Sequence, residues 1–255
     1  MKSTWLITGQ AGYVGSHLIP YLLARNPEPF LQCDLKTHGD FADLTGCEFD
    51  TVVHLAASAS VTQSLKDPDA CLDNNALKLI PFLTKNKIRR LIFTSTGGAI
   101  YGEKHQAKEE DANWNGCISP YGQSKYLAEQ IIHRLQPNHV ILRLGNVYGG
   151  DDSDRLELAA HARFKRDNPI TVYGGNQVRD FVHVNIVCRA IHTALTSDIT
   201  GTFNIGSGEA TQVSTIAEKI GFERNVPVVY ESARAGEITH ISLDVTKARE
   251  AGLII

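Results

Sequence analysis

Short apolar runs alternate with helical patterns along the first two thirds of the chain. The runs occupy positions 4–8, 30–34, 51–57, 90–94 and 140–144. Helical patterns follow at 16–25, at about 67–85 and after Tyr121. Strands that alternate with helices predict an α/β fold with a doubly wound parallel sheet. Beyond residue 150 the pattern loosens, with a helix at 155–166 and a strand at 170–173, and it predicts a smaller, interleaved C-terminal lobe.

A glycine-rich turn joins the first predicted strand to the first predicted helix. It reads Gly9-Gln-Ala-Gly12-Tyr-Val-Gly15, with GxxGxxG spacing. In a dinucleotide-binding (Rossmann) unit such glycines allow a tight turn, a close approach of the backbone to a pyrophosphate and close packing of helix on strand. The turn also suits an ordinary α/β protein, but its place between strand and helix favours dinucleotide binding.

Asp34 ends the second predicted strand, 19 positions after Gly15. A carboxylate about 20 residues after the glycines typically holds the adenosine ribose. Its charge disfavours a 2′-phosphate, so we expect NAD rather than NADP. A simple turn aspartate is the alternative. In the short connection that follows, Asp40 or Asp43 caps a helix or faces the adenine, and the sequence leaves both open.

The stretch Ser119-Pro-Tyr121-Gly-Gln-Ser-Lys125 opens the predicted helix that follows residue 120. Residues at i and i+4 share one helix face, so Tyr121 and Lys125 point towards the same volume. A nearby cation favours a phenolate over a phenol, which makes the tyrosine a candidate general base. A helix-start aromatic and a solvated lysine are the simpler interpretation of this short motif.

Composition and charge narrow the classes of partner. The formal net charge of −3 gives no reason to expect nucleic acid or an anionic membrane. No apolar run is long enough for a membrane span, and the start lacks a signal peptide, so we expect a cytoplasmic protein. The five scattered cysteines suit a reducing compartment, and the ten histidines have no metal-ligand spacing, so we expect no metal.

Eight ordered motifs strongly resemble the NAD-dependent epimerase/dehydratase family of extended short-chain dehydrogenases/reductases, whose best-known members are UDP-glucose 4-epimerases. The motifs are TGQAGYVGSHL (8–18), HLAASASV (54–61), DNN (73–75), STGGAIYG (95–102), YGQSK (121–125), RLGNVYG (143–149), VYGGNQVRDFVHV (172–184) and FNIGSGEATQV (203–213). The resemblance runs nearly end to end. It implies a substrate that is a nucleotide-diphosphate sugar and a homodimeric assembly.

The resemblance also implies residue roles. NAD would be held by Gly9, Gly12, Tyr13, Val14, Gly15, Asp34, Ala56, Ala57, one of Asn74 and Asn75, Tyr121 and Lys125. The catalytic residues would be Tyr121, Lys125 and Thr96. Lys125 would also lower the pKa of the phenol, and for the hydroxyl we choose Thr96 over Ser95. The substrate would meet Ser95, Asn146, Arg179 and Arg234, with Asn146 facing either the nicotinamide or the diphosphate. A guanidinium suits a diphosphate because it donates bidentately and stays charged.

Departures from the family pattern affect the expected reaction. Dehydratases carry an Asp-Glu pair where this chain has Gly97 and Gly98, so dehydration is disfavoured. Asn185 and Glu237 replace family aspartates, and the chain stops soon after position 248, which predicts a smaller substrate lobe. We therefore expect NAD-dependent epimerisation through a transient 4-keto sugar. The alternatives are an NAD(P)-dependent nucleotide-sugar reductase or dehydrogenase, and a non-catalytic dinucleotide-binding protein.

The predicted domain division follows the same resemblance. Residues 1–149 and 177–208 would form the NAD-binding domain, and residues 150–176 and 209–255 would form the substrate-binding lobe. His54, inside a buried strand, is expected to be a core residue rather than a catalyst.

Overall fold

The computed structural model describes residues 4–25, 30–34, 40–149, 168–233 and 238–254. Its strands are β1 (Trp5–Thr8), β2 (Leu31–Cys33), β3 (Glu48–His54), β4 (Lys87–Thr96), β5 (Lys104–Ala107), β6 (His139–Leu144), β7 (Asn146–Tyr148), β8 (Ile170–Tyr173), β9 (Val178–Arg179), β10 (Phe181–His183), β11 (Gly201–Ile205), β12 (Thr211–Gln212), β13 (Val228–Glu231) and β14 (Ile241–Leu243). Its helices are α1 (Tyr13–Leu23), α2 (Val61–Lys66), α3 (Pro68–Leu72), α4 (Leu79–Lys85), α5 (Pro120–Leu135), α6 (Val184–Thr196), α7 (Val213–Arg224) and α8 (Thr246–Glu250).

Six of the strands form one parallel sheet in the order β2-β1-β3-β4-β6-β11. The chain passes from β1 to β2 on one side and then returns to place β3 on the other side of β1. The order therefore reverses at β1, and a crevice opens at the carboxyl ends of the strands, where ligands of such sheets bind. This arrangement confirms the predicted doubly wound fold.

The sheet is covered on both faces because alternate residues of each strand point to opposite sides. Leu6 and Val52 pack into one core with α4 and α5, whereas Ile7 and Val53 pack into the other with α1 and α6. All four of these strand side chains are buried. Continuous apolar strands of this kind are typical of parallel sheets, as the run at 51–57 predicted.

The helix predicted at 67–85 is interrupted in the structure. The π-helical turn Asp73–Leu77 separates α3 from α4, and a further short helix, α2, precedes α3. Within the π turn Asn75 is buried and makes hydrogen bonds to the backbone of Ser58 and to the side chain of Ser124. A wider turn of this type redirects one side chain, and π turns are frequent at functional sites.

A smaller lobe forms around β8 and β13, which pair in parallel, and around α7. Its own core contains Val172, Phe181, Ile216 and Ile220. The predicted strand at 170–173 is therefore present. The predicted helix at 155–166 lies outside the described residues.

Residues 238–254 pack against the large core rather than the lobe. Strand β14 pairs with β5, and Leu243, Leu253 and Ile254 share one buried cluster with Ile7 and Leu18. The division into an NAD-binding domain and a substrate-binding lobe at residues 149, 177 and 209 stays a prediction. Residues 238–254, assigned to the lobe by that prediction, pack against the large core. Among the described helices, none is both long and apolar enough to cross a membrane.

Candidate active site

The glycine turn and the ends of β2 and β3 line one end of the crevice. A cavity of about 200 Å³ there is bordered by Gly9, Gly12, Asp34, Asp40, Phe41, Leu55, Ala56, Ala57, Ser58 and Asn74. Gly9 has φ +73°, and a Cβ on it would lie 2.6 Å from the Ala56 nitrogen, so the turn and β3 approach as only a glycine allows. Asp34 accepts a hydrogen bond from the Ala11 N–H at 3.1 Å.

The structure shows where the residues of two open alternatives lie. Asn74 lines the cavity, whereas Asn75 is turned into the protein. Asp40 both caps the short 3₁₀ turn Phe41–Asp43, by accepting from the Ala42 N–H, and borders the cavity. A salt bridge of 2.7 Å to Lys78 fixes its carboxylate, and hydrogen bonds from Lys78 and Ala42 hold the pKa of Asp40 below its usual value even though burial raises it.

A second cavity of about 280 Å³ continues from the same turn towards α5. It is bordered by Gly9, Gly12, Tyr13, Val14, Gly15, Leu55, Ala57, Ala59, Thr94, Ser95, Thr96, Tyr121, Lys125, Leu144, Gly145 and Val147. The N-cap of α1 is Gly12, which offers no side-chain hydrogen bond to the first turn. The backbone N–H groups at this helix start are therefore suited to an anion such as a pyrophosphate.

Tyr121 and Lys125 are positioned by the start of α5. Ser119 caps the helix by accepting from the Gly122 N–H at 3.2 Å, and Pro120 occupies the first turn. The Tyr121 N–H donates to the Ser64 hydroxyl at 3.1 Å. Lys125 is buried, donates from Nζ to the Thr94 carbonyl at 2.7 Å and lies 4.0 Å from the centre of the Phe93 ring.

Thr96 is directed at the Tyr121 phenol. The Gly98 N–H donates to Thr96 Oγ1 at 3.2 Å. The Thr96 hydroxyl lies close enough to the phenol to act against the rise in the pKa of Tyr121. Ser95, which we expected to meet the substrate, borders the second cavity and is not among the residues that border the third cavity, described below. Neighbouring residues of a strand face opposite sides, which separates Ser95 from Thr96.

The protonation of the pair is dominated by burial. Burial raises the pKa of Tyr121 to about 12, with the Thr96 hydrogen bond acting in the opposite direction. Burial lowers the pKa of Lys125 to about 7, while the negative charge of Glu129 raises it. The pKa of the phenol is therefore raised, and not lowered as the sequence predicted. Additional positive charge beside the phenol is needed before it serves as a base.

A third cavity, of about 350 Å³, lies on the other side of Tyr121 and reaches into the small lobe. Its lining is Ala59, Val61, Thr96, Gly98, Ala99, Ile118, Ser119, Tyr121, Gly145, Asn146, Val172, Tyr173, Gln177, Arg179, Val213 and Ile238. Asn146 borders this cavity and is not among the residues that border the second. Arg179 borders it and also donates to the carbonyls of Val178 and Ile238. Arg234 lies outside the described residues.

Several lining residues were not predicted, among them Val61, Ile118, Tyr173 and Gln177. Val61, Tyr173 and Gln177 lie inside motifs that the sequence analysis recognised, so the motifs were the available signal. Ile118 has no such signal. In the described part of the chain, no cluster of three or more side chains is arranged to hold a metal ion.

The fold and these cavities define a Rossmann-type dinucleotide-dependent enzyme with a tyrosine and a lysine at the carboxyl edge of its sheet. Residues 5–206 match the NAD dependent epimerase/dehydratase family, and the chain belongs to that family. NAD is accordingly its cofactor. The first two cavities fit it: a carboxylate, that of Asp34, borders the first, and the uncapped start of α1 borders both.

Individual relatives agree over almost the whole chain. A putative UDP-glucose 4-epimerase of Methanocaldococcus jannaschii is 32% identical in an alignment of 284 positions, gaps included, that covers 97% of this chain and 92% of that protein. The solved UDP-glucose 4-epimerase of Thermotoga maritima with UDP-glucose has a TM-score of 0.83 at 29% identity, covering 98% and 92% of the two chains. That of Thermus thermophilus with NAD has a TM-score of 0.82 at 28% identity, covering 98% and 93%.

Proposed function

We propose that the chain is an NAD-dependent 4-epimerase of a nucleotide-diphosphate sugar, with UDP-glucose and UDP-galactose as the first pair to test. One observation carries the proposal. Tyr121 and Thr96 border both the second cavity, which fits NAD, and the third cavity. A sugar carbon held beside these two residues therefore faces both cavities. The relatives named for UDP-glucose support this choice of nucleotide sugar.

The chemistry follows from the two hydroxyl groups. Once ionised, the Tyr121 oxygen takes the proton of the sugar's C4 hydroxyl, and the Thr96 hydroxyl donates a hydrogen bond to the same sugar oxygen. Bound NAD supplies reversible acceptance of a hydride from the carbon that carries this oxygen. The resulting 4-keto sugar rotates within the site and receives the hydride on its other face, while Tyr121 returns the proton to the sugar oxygen. Substrate and product have the same oxidation state, so the complete reaction consumes no oxidant or reductant.

The rest of the third cavity is assigned by charge and polarity. Among the described residues that border this cavity, Arg179 carries the positive charge, and we assign it to the diphosphate together with Arg234. Asn146 is assigned to the substrate on the same wall. The roles of Gly9, Gly12, Tyr13, Val14, Gly15, Asp34, Ala56, Ala57, Asn74 and Lys125 in NAD binding are part of the proposal.

The test is turnover without added cofactor. Purified protein is incubated with UDP-, dTDP-, GDP- and CDP-sugars, and products are separated by chromatography, with Tyr121→Phe as the inactive control. Conversion of UDP-glucose to UDP-galactose by the unmodified protein alone is the expected result. Consumption only when NADH or NADPH is added would identify a reductase instead. No consumption under either condition would leave a dinucleotide-binding protein.

A homodimer is part of the same proposal. The π turn Asp73–Leu77 and the neighbouring helices α4 and α5 leave apolar side chains at the surface. Leu77 and Ile80 are each 42% exposed, and Leu135 is 38% exposed. Covering such a patch with a second copy removes it from water. Ile80→Glu should reduce the mass measured by light scattering to that of one chain. Phe222→Glu, a change at a residue 90% exposed on α7, is the matched control and should leave the mass unchanged.

We also propose the cytoplasm as the compartment. All five cysteines lie in the described residues, none forms a disulfide, and four of them are buried as thiols. Thiols kept reduced suit a reducing compartment. Fractionation of cells that express the tagged protein checks this assignment.

A further inference from the structure

Tyr13 and Gly149 are joined by a hydrogen bond across 136 positions of sequence. The Tyr13 hydroxyl donates to the Gly149 carbonyl oxygen at 2.6 Å. Tyr13 is the first residue of α1, directly after the Gly12 turn, and Gly149 directly follows β7. The family pattern implies only a general contact of Tyr13 with NAD, so this use of its side chain is new.

The two ends of this bond continue two different segments of chain that border the second cavity, here called its two walls. Tyr13 continues the wall made by the glycine turn, and Gly149 continues the wall that contains Gly145 and Val147. Residues 94–96, at the end of β4, border the same cavity. Tyr13 is 45% exposed, and its bond to Gly149 is partly buried.

Both ends are held in place. The Tyr13 carbonyl accepts hydrogen bonds from the Ser16 hydroxyl at 2.9 Å and from the His17 ring at 2.8 Å, and the Tyr13 and His17 rings meet edge to face. At the other end a Cβ on Gly149 would lie 2.3 Å from His183 Nε2, so the residue sits directly under that ring. His183 in turn pairs with Tyr148 in the β7–β10 ribbon.

We propose that the Tyr13 hydroxyl is a clasp that retains NAD between the two walls. A positioned donor on one wall and a fixed carbonyl on the other must separate for the walls to part. The inference rests on the proposed function, because an epimerase returns the hydride to the same sugar and loses its cycle if the cofactor leaves midway. A dehydrogenase, by contrast, has to exchange its cofactor at each turnover.

Tyr13→Phe tests the clasp because it keeps the ring and its contact with His17 and removes only the hydroxyl. Tyr21→Phe is the matched control: it is the same substitution on the same helix, at a side chain that packs against His192 rather than the cavity. Each protein is loaded with NADH and chased with excess NAD, and the loss of NADH fluorescence gives the dissociation rate. Loss of one neutral hydrogen bond predicts dissociation about 5- to 10-fold faster for Tyr13→Phe.

A second readout is the fate of the intermediate. During turnover of UDP-glucose, Tyr13→Phe should release NADH and keto sugar into solution, seen as NADH absorbance in the filtrate, whereas Tyr21→Phe should not. Equal dissociation rates for all three proteins would overturn the clasp, and so would equal acceleration in both variants. A lower melting temperature of Tyr13→Phe with an unchanged NADH dissociation rate would show a purely structural bond. Failure of the proposed function differs from all of these, because then the unmodified protein itself would not epimerise.

Discussion

Asn75 donates a hydrogen bond from Nδ2 to the Ser124 hydroxyl at 2.9 Å and thereby ties the π turn to α5, three residues after Tyr121. The same amide donates to the Ser58 carbonyl at 3.1 Å and accepts from the Ser58 N–H at 2.7 Å. The side chain is 1% exposed. One buried amide therefore fixes the helix of the candidate base and the loop after β3 relative to each other.

The two adjacent asparagines should separate stability from cofactor binding. Asn75→Ala leaves buried polar groups without partners and should lower the free energy of unfolding by about 2–4 kcal/mol. Asn74→Ala, at the cavity wall, should change stability little and weaken NAD binding. Urea denaturation and NAD titration of both variants check this. Equal effects of the two substitutions on both quantities would contradict the assignment.

Tyr121→Phe should abolish proton transfer and keep the fold. We expect kcat to fall by about 10²- to 10⁴-fold, the usual contribution of a positioned acid or base. The far-ultraviolet circular dichroism should remain that of the unmodified protein, because α5 is capped by Ser119 and not by the phenol. A variant that retained most of its turnover would remove Tyr121 from the mechanism.

The two hydroxyls at the end of β4 should behave differently. Thr96→Val removes the donor that meets the phenol, and kcat should fall by about 10²-fold. Ser95→Ala removes a buried hydroxyl on the cofactor side, so its effect should appear in NAD affinity rather than in kcat. Steady-state kinetics with saturating UDP-glucose compares them. A larger loss of kcat in Ser95→Ala would reverse the choice of triad hydroxyl.

The phenol should titrate differently with and without NAD. Burial places the pKa of Tyr121 at about 12 in the protein without cofactor, so the group stays protonated at neutral pH. The cationic ring of oxidised NAD favours the phenolate and should lower this pKa. The measurement is the ultraviolet absorbance of tyrosinate against pH, with the Tyr121→Phe spectrum subtracted. Identical titration curves for the two forms would show that the cofactor does not activate the base.

His54 should make the protein sensitive to acid. Burial, and secondarily the charge of Lys125, lower the pKa of His54 from 6.5 to about 3. Below pH 6.5 the unfolded chain binds a proton that the folded chain refuses, so stability is complete above pH 6.5 and falls as the pH drops towards 3. The slope from one such group is about 1.4 kcal/mol per pH unit.

His54→Phe should remove that slope. It also loses the hydrogen bond between His54 Nδ1 and the Thr8 hydroxyl, so its stability at about pH 7.5 should be lower by a constant amount. Urea denaturation of both proteins at several values between about pH 4 and pH 7.5 separates the two effects. Parallel pH profiles would mean that His54 takes up a proton in the folded state.

Local patterns in the sequence identified the parts of the site that lie close together in the chain. The turn from Gly9 to Gly15, the carboxylate of Asp34 and the helix face shared by Tyr121 and Lys125 all depend on fixed short spacings, so they were predictable. The doubly wound sheet followed from the alternation of elements. The parallel strands β1, β3, β4 and β6 were each recognised, although their ends differ by a few residues.

The unpredicted features depend on partners far away in sequence. The π turn at Asp73–Leu77 interrupts a pattern that is helical by itself, because Asn75 turns inward to Ser58 and Ser124. The pKa of Tyr121 rises through burial, which short spacings do not reveal. Likewise the bond from Tyr13 to Gly149 joins residues that share no motif.

The pairing of β14 with β5 also sets an order of events during protein synthesis. Leu243, Leu253 and Ile254 complete a core whose first members, Ile7 and Leu18, leave the ribosome more than two hundred residues earlier. Until the last of these residues emerges, the nascent chain carries that apolar surface uncovered, as do other chains with contacts of long sequence separation. Chaperones that bind exposed apolar segments therefore have a long window in which to engage this protein, and its final fold closes only after synthesis of β14.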